Sequence, residues 1–375
     1  MELKPNFYVI ILAAGFATRL VPISNKIPKP LIEISGKSII SRIISNFYQA
    51  GFNKFCVVVG YKKELLIEEV LKIKKCEILI AEQKEISGMA NAIKTAIIKV
   101  KQNQNNEEIN NYFITAADII FSKEEILKIY NLFRNSQADM ILSLIKSNDT
   151  SIAKGHGNVK IAESSDLAKE FDCNQGLQII DIIEKPKDRQ ILSKYYSLPL
   201  YIINQKIVRY LKTVRVSERG EKELQDAIKK AIEKGKNIRG IRIIKNWITS
   251  NDIGKYHLTN LEDIIKMNNR FLKGFNLRNS KGINMKYVEP INIKEDTKIQ
   301  NNALLGPYTT IGKSCIIGDS SKISNSIIYD MVIVGKFCEL EWCIIDENVE
   351  LPESFRAKKC FITRSNGEEL DIINF

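Results

Sequence analysis

The chain has 375 residues, 44 % apolar and 27 % charged, with a formal net charge of +12. That length suits two domains; no apolar run long enough to span a bilayer is present, and the opening MELKPNF lacks the features of a signal peptide, so a cytoplasmic location is expected. The lysines are dispersed, which reads as solvated surface and not as a nucleic-acid footprint. Seven cysteines without a C-x-x-C pair argue against a disulfide scaffold or a structural zinc, and His156 and His257 are too few for a histidine metal site.

Phe7 to Ala13 (FYVIILA) has the β-branched apolar texture of a buried parallel strand. The pattern then predicts a helix over 38–50, a strand over 55–59 ended by Gly60, a helix over 64–72 and a strand over 77–81. A helix follows over 89–100, a polar loop over 101–111, a strand over 112–116 leading to Asp118, a helix over 123–134 and a strand over 140–144. Such alternation means an α/β sheet with helices on both faces, a Rossmann-like arrangement. Between 150 and 210 short strands (158–162, 177–183, 199–203) read as a mixed-sheet insertion or edge. Residues 223–233 are expected to be helical, the run from Ile238 toward Trp247 strand-like, and 256–270 helical.

The tail has another period. Aliphatics recur every six residues at Ile299, Leu305, Ile311, Ile317 and Ile323, then after one-residue slips at Ile328, Val334 and Leu340, and at Ile345 and Leu351. No α-helix or ordinary strand has that period; a hexapeptide repeat of about 18 residues per coil is a β-helix signature, here of about three coils. The expected organisation is an α/β domain over 1–265, a linker over 266–295 and a short parallel β-helix over 296–375 with a cap from residues 352–375.

Chemistry concentrates in ILAAGFATRLVPISNKIPKP, which starts at Ile11. Gly15 is free to take angles closed to other residues and lets an anion approach the backbone. Arg19 offers a forked donor for phosphate oxygens, and Lys29 sits on a segment stiffened by Pro28 and Pro30. Together they read as a triphosphate clamp, although neither G-x-G-x-x-G nor GxxxxGK[ST] is present.

The stretch resembles the nucleotide-binding signature of the sugar-1-phosphate nucleotidylyltransferases (NDP-sugar pyrophosphorylases), L-A-A-G-x-G-T-R-L-x-P followed by P-K-P-L. Here it reads Leu12-Ala13-Ala14-Gly15-Phe16-Ala17-Thr18-Arg19-Leu20 and Pro28-Lys29-Pro30-Leu31. QKEISGMANAI, ITAADIIF, IIEKP, ERGEKELQDAI, WITSNDIGKY and GPYTTIG follow in the family's order, so the resemblance covers about residues 7–355 and extends to the long form with a left-handed β-helix. It implies a nucleotide site at Leu12, Ala14, Gly15, Phe16, Ala17, Thr18, Gln83 and Gly88. It puts Glu184 near sugar hydroxyls, Lys185 on the sugar phosphate, and Mg²⁺ on Asp118 and Asp252. Arg19, Lys29, Asp118, Lys185 and Asp252 would then carry catalysis without a general base. The implied partners are a nucleoside triphosphate and a sugar 1-phosphate, with no nucleic acid or membrane, in a homo-oligomer. The implied product is dTDP- or UDP-glucose. Mannose-1-phosphate guanylyl transfer is an alternative; so is a non-catalytic regulatory or scaffolding subunit of a sugar-nucleotide or translation-factor exchange complex.

The sequence departs from the pattern at several points. Ala17 replaces a glycine, so its methyl crowds the nucleotide or forces another loop path. Ala117 precedes Asp118 where glycine is common, Met89 replaces a threonine, Leu198-Pro199-Leu200-Tyr201 replaces G-I-Y, and Asp252 follows Ser250-Asn251. Both histidines precede residue 299, which excludes a histidine-dependent acyl transfer in the coils, so the tail is read as an oligomerisation or regulatory element.

Overall fold

The apolar runs of the first half become a parallel sheet. The computed structural model describes residues 7–103, 109–163, 167–273, 286–365 and 369–375, and its packing divides into two compact units, Met1–Ile32 with Ile39–Ile253, and Glu33–Ser38 with Gly254–Phe375. Residues 274–285 of the expected linker and 104–108 of the expected polar loop lie outside the described residues.

The first unit runs β1 (Phe7–Ala13), α1 (Ile23–Lys26), α2 (Ile39–Gln49), β2 (Lys54–Val59), α3 (Lys63–Leu71), β3 (Glu77–Glu82), α4 (Met89–Gln102), β4 (Asn111–Ala116), α5 (Lys123–Asn135) and β5 (Met140–Lys146). It continues with β6 (Gly157–Ile161), β7 (Leu177–Glu184), β8 (Tyr195–Asn204), α6 (Gln205–Leu211), α7 (Leu224–Glu233), β9 (Ile238–Arg242) and α8 (Ser250–Ile253). The sheet order is β3-β2-β1-β4-β8-β5-β9-β7-β6, with β8 also pairing β6. β1 runs parallel to β2 and β4, and β9 to β5, while β8 is antiparallel to both β4 and β5. The carboxyl ends of β1, β2, β3, β4, β5 and β9 therefore share one edge, where open α/β sheets bind ligands.

Alternation along the strands assigns the two faces. Tyr8, Ile10, Cys56, Val58, Tyr112 and Ile114 pack with Ile93, Ile97 and Ile228 from α4 and α7. The intervening Phe7 and Phe113 meet Phe47 of α2, Phe52, and Tyr130 and Phe133 of α5 in an edge-to-face aromatic cluster. The insertion expected between 150 and 210 supplies three strands of the main sheet. The strand expected up to Trp247 stops at Arg242, because that side chain turns inward to a buried carboxylate and its guanidinium holds the carbonyls of Lys245 and Asn246.

In the second unit, α9 (Leu261–Leu272) starts at a capping box in which Asn260 accepts from the Asp263 N–H and Asp263 accepts from the Asn260 N–H. The rest is a parallel β-helix. Stacking begins before Ile299, at Lys286–Tyr287 and Ile291–Ile293, so one ladder has five rungs (286, 304, 322, 339 and 356 onward) where the periodicity counted about three coils. The inward column includes Leu305, Ile311, Ile317, Ile323, Ile328, Val334, Leu340, Ile345 and Leu351, all buried. Each corner is a non-glycine residue in the left-handed region, from Asp296 and Asn302 to Ser354 and Lys359.

The one-residue slips have a structural meaning. Ile291 stacks on Thr309, 18 residues on, but Ile327 stacks on Ile344 and Ile344 on Phe361, each 17 on, so the same corner of every later coil is one residue shorter. The 17-residue coil also brings Cys343 under Cys360, Sγ to Sγ 3.8 Å, whereas Cys338 and Cys343, neighbours in sequence, face different columns; all seven cysteines are free thiols. Arg356–Ser365, the last coil strand, is paired antiparallel by Glu369–Asn374.

Candidate active site

The loop after β1 is shaped by close backbone approach. Ala14 O accepts the Tyr61 N–H at 3.2 Å, and a Cβ on Gly60 would lie 2.8 Å from that carbonyl, so only glycine fits at position 60. The conformational role expected of Gly15 falls to another residue. Gly15 stays out of the left-handed region and faces open space, whereas Ala17 takes φ 51° and ψ 45° as it starts the turn Thr18–Leu20. A glycine suits that geometry; the alanine accepts its strain. Phe16 is exposed, its ring 5.4 Å from that of Tyr61, and Thr18 and Arg19 are exposed beside it. Leu12, at the end of β1, pairs with Val58 and Ala116.

Lys29 opens a turn between its two prolines and places Nζ 2.8 Å from Asp118 Oδ2, just beyond β4. Two sequence candidates 89 residues apart are thus in contact.

On the far side of β2, Gln83 follows β3 and is buried; its Nε2 donates to Gly88 O at 3.3 Å. Gly88 has φ 100°, and a Cβ there would meet Lys222 N and O at 2.7 Å. Lys222 N donates to Ser87 O and Ala90 N to Lys222 O, so the segment before α7 straps the Gln83–Gly88 turn.

Strand register carries Glu184 to the same edge. Thr115 of β4 faces Leu200 of β8, Tyr196 faces Asn158 of β6, and Gly157 faces Glu184 of β7. Around Gly157, an added Cβ would meet Ser197 Oγ at 2.9 Å, Glu184 Oε2 at 3.1 Å and Gln225 Nε2 at 3.2 Å. Glu184 Oε2 is buried and accepts no hydrogen bond. Burial pushes its carboxyl up to about 7 against the pull of Lys185, whose Nζ is 3.8 Å from Oε1. Lys185 itself takes φ 44°. Arg219 joins the Glu184 carbonyl (3.1 Å) to the Glu223 carboxylate (2.8 Å).

Gly157, Ser197, Gln225 and Arg219 escaped the sequence reading. The strand pairing is irregular between Leu198 and Tyr201, the stretch that stands in place of G-I-Y, one residue past Ser197.

Asp252 lies on α8. Thr249 Oγ1 donates to Asp252 Oδ2 at 2.9 Å and accepts the Asp252 N–H at 3.1 Å. The Ser250 N–H donates to Asp149 Oδ2 at 2.7 Å. Hydrogen bonds from Ser151 and Ser250 hold the Asp149 carboxyl well below the usual carboxylate range. Behind this segment Glu170 is buried with Lys146, Tyr195 and Arg242; burial alone would raise its pKa, and their hydrogen bonds outweigh that and lower it. Among the described residues no group of three or more His, Cys, Asp or Glu is placed to hold a metal. Mg²⁺ sites commonly use one or two carboxylates and complete the shell with water and phosphate, so the donor chemistry of Asp118 and Asp252 fits that ion. No helix among the described residues is long and apolar enough to cross a membrane.

Comparison with known proteins agrees with this layout. Residues 8–270 match the nucleotidyl transferase family, and residues 287–369 match the GMPPB C-terminal domain. The bifunctional protein GlmU of Methanococcus maripaludis is 30 % identical over 343 residues, covering 86 % of this chain and 73 % of the relative. The UTP–glucose-1-phosphate uridylyltransferase AglF of Haloferax volcanii is 28 % identical over 235 residues, 62 % of this chain and 87 % of the relative. A crystal structure of UDP-glucose pyrophosphorylase complexed with UDP-glucose superposes with a TM-score of 0.55 at 20 % identity, over 73 % of this chain and all of that one, a likeness of fold. The chain belongs to the nucleotidyl transferase family, among its sugar-1-phosphate nucleotidyltransferases with a β-helical second domain.

Proposed function

We propose that this enzyme transfers a uridylyl group from UTP to glucose 1-phosphate with Mg²⁺, dTTP being the next base. The coarser reaction, nucleotide transfer to a sugar 1-phosphate with release of pyrophosphate, comes with the family. The finer reading is supported by the Haloferax volcanii relative and the UDP-glucose pyrophosphorylase fold match, whose names carry that base and sugar. The observation that carries the sugar-phosphate side of the reading is Glu184 Oε2. A buried acceptor without a donor, beside the bare backbone of Gly157, is what a sugar hydroxyl would complete.

In this reading an oxygen of the sugar phosphate forms a bond to the α-phosphorus, and the bond from that phosphorus to the bridging oxygen of pyrophosphate breaks. The nucleophile is already ionised, so no proton needs a base, and catalysis is positioning plus charge stabilisation. Lys185 holds the attacking phosphate. Arg19 and Lys29 receive charge on the leaving pyrophosphate, Lys29 turning to it from Asp118. Gly88 and Gln83 shape the base pocket. Asp118 and Asp252 would hold Mg²⁺, which would supply positive charge against the charge developing on the phosphates.

The test is pyrophosphate release from UTP, dTTP, GTP, ATP and CTP against glucose, mannose and N-acetylglucosamine 1-phosphates. UTP with glucose 1-phosphate should give the highest kcat/KM. GTP with mannose 1-phosphate leading would replace the substrate assignment, and silence from every pair would favour the scaffolding alternative.

A further inference from the structure

We propose that Asp149 is a positioning residue that sets the height of Asp252 in the site; the inference rests on the reading of Asp252 as a metal ligand. Five positions separate Trp247 from Asp252, where the W-x-D-I-G pattern has two. The longer connection needs anchoring from elsewhere, because α8 is a helix of four residues and a single turn does not hold itself.

The anchors come from two strands and the turn after one of them. Arg242 holds the carbonyls of Lys245 and Asn246, and the Ile248 N–H donates to Lys146 O at 3.0 Å, which fixes the start of the connection. Asp149 fixes its end. One oxygen accepts the Ser151 N–H (3.0 Å) and Oγ (2.6 Å), which seats the carboxylate on the turn after β5. The other accepts the Ser250 N–H, the first residue of α8, across 101 positions of sequence. Charge-assisted bonds of this kind are about twice as strong as neutral ones. Ser250 is next to Thr249, whose hydroxyl orients the Asp252 carboxylate. The path from β5 to the ligand is therefore Asp149, Ser250, Thr249, Asp252. Outer residues of this type fix a ligand's orientation, and their loss costs about 10–100-fold in metal affinity.

The experiment compares Asp149→Ala, Asp149→Asn, Asp252→Asn and the Asp149→Ala/Asp252→Asn pair in the full chain. Two quantities are read: Mn²⁺ affinity by electron paramagnetic resonance with UTP present, and the KM for glucose 1-phosphate. Asn keeps an acceptor for Ser151 and loses the one for Ser250, so it tests the contact even where Ala unfolds the turn. Both Asp149 variants should weaken Mn²⁺ about 10–100-fold with little change in the sugar KM, and Asp149→Ala should add nothing once Asp252 is Asn. Unchanged Mn²⁺ affinity in Asp149→Asn, or a full additional loss in the pair, overturns the positioning role while leaving Asp252 a ligand. Unchanged Mn²⁺ affinity in Asp252→Asn overturns the metal reading itself, and the inference with it.

Discussion

Lys29 Nζ rests 2.8 Å from Asp118 Oδ2, so the cation assigned to pyrophosphate and the carboxylate assigned to the metal neutralise one another. The two side chains are 16 % and 25 % exposed, so the pair is largely shielded from solvent, and a magnesium nucleotide would have to offer each group a new partner. Asp118→Ala should lower kcat by about 10²–10³ with the fold intact by circular dichroism; wild-type magnesium-dependent turnover in that variant would remove Asp118 from the mechanism.

Ala17 holds a left-handed conformation at φ 51°. Such strain costs an L-residue about 1–2 kcal/mol, and the extra freedom of glycine in the unfolded chain takes back about half of that. Ala17→Gly should raise unfolding stability by about 0.5–1 kcal/mol, read from urea midpoints. A loss of stability would show that the methyl is packed and not strained.

Glu184 has its folded pKa raised to about 7, from an ordinary 4.5, chiefly by burial. The folded chain then binds more proton than the unfolded one between those values. The group's contribution is fully present below about 4.5 and is lost as pH rises through about 7. The expected decline is on the order of 3 kcal/mol. Glu184→Gln should flatten it, so urea midpoints at pH 5 and pH 8 should converge in the variant; parallel curves for the two proteins would place the titration elsewhere.

Glu369–Asn374 covers one edge of Arg356–Ser365. Ending the chain after Ser365 bares the Cys360–Ser365 stretch of that strand, and uncovered strand edges recruit other chains. Sedimentation velocity should show self-association of the shortened protein. A distribution identical to that of the full chain would mean that this edge is not adhesive.

Where an element depends on local pattern, the sequence was informative. The strands from Phe7 to Lys146 follow from short apolar runs and the coils from a six-residue period, and Lys29 and Asp118, read from motifs on single elements, meet in the folded chain. What escaped depends on register between distant strands. Gly157, Ser197 and Gln225 come from β6, β8 and α7 and converge only when the sheet is assembled. The left-handed angle moved from Gly15 to Ala17 because it is set by the path of the turn and not by the residue best suited to it. The strand expected to reach Trp247 was broken by Arg242, whose partner Glu170 lies 72 positions away.

Coils of 18 and then 17 residues make the tail a ruler with closely even graduations. Each coil's parallel backbone ladder runs to the coils directly above and below, so stability propagates from neighbour to neighbour, as in other solenoids. Adding or deleting a complete coil preserves every stacked column, whereas an insertion of one residue in a straight segment would turn the following aliphatics outward. The tail's length is thus free to change by whole coils, and by a single residue only where the change falls at a corner, as it does between the 18- and 17-residue coils.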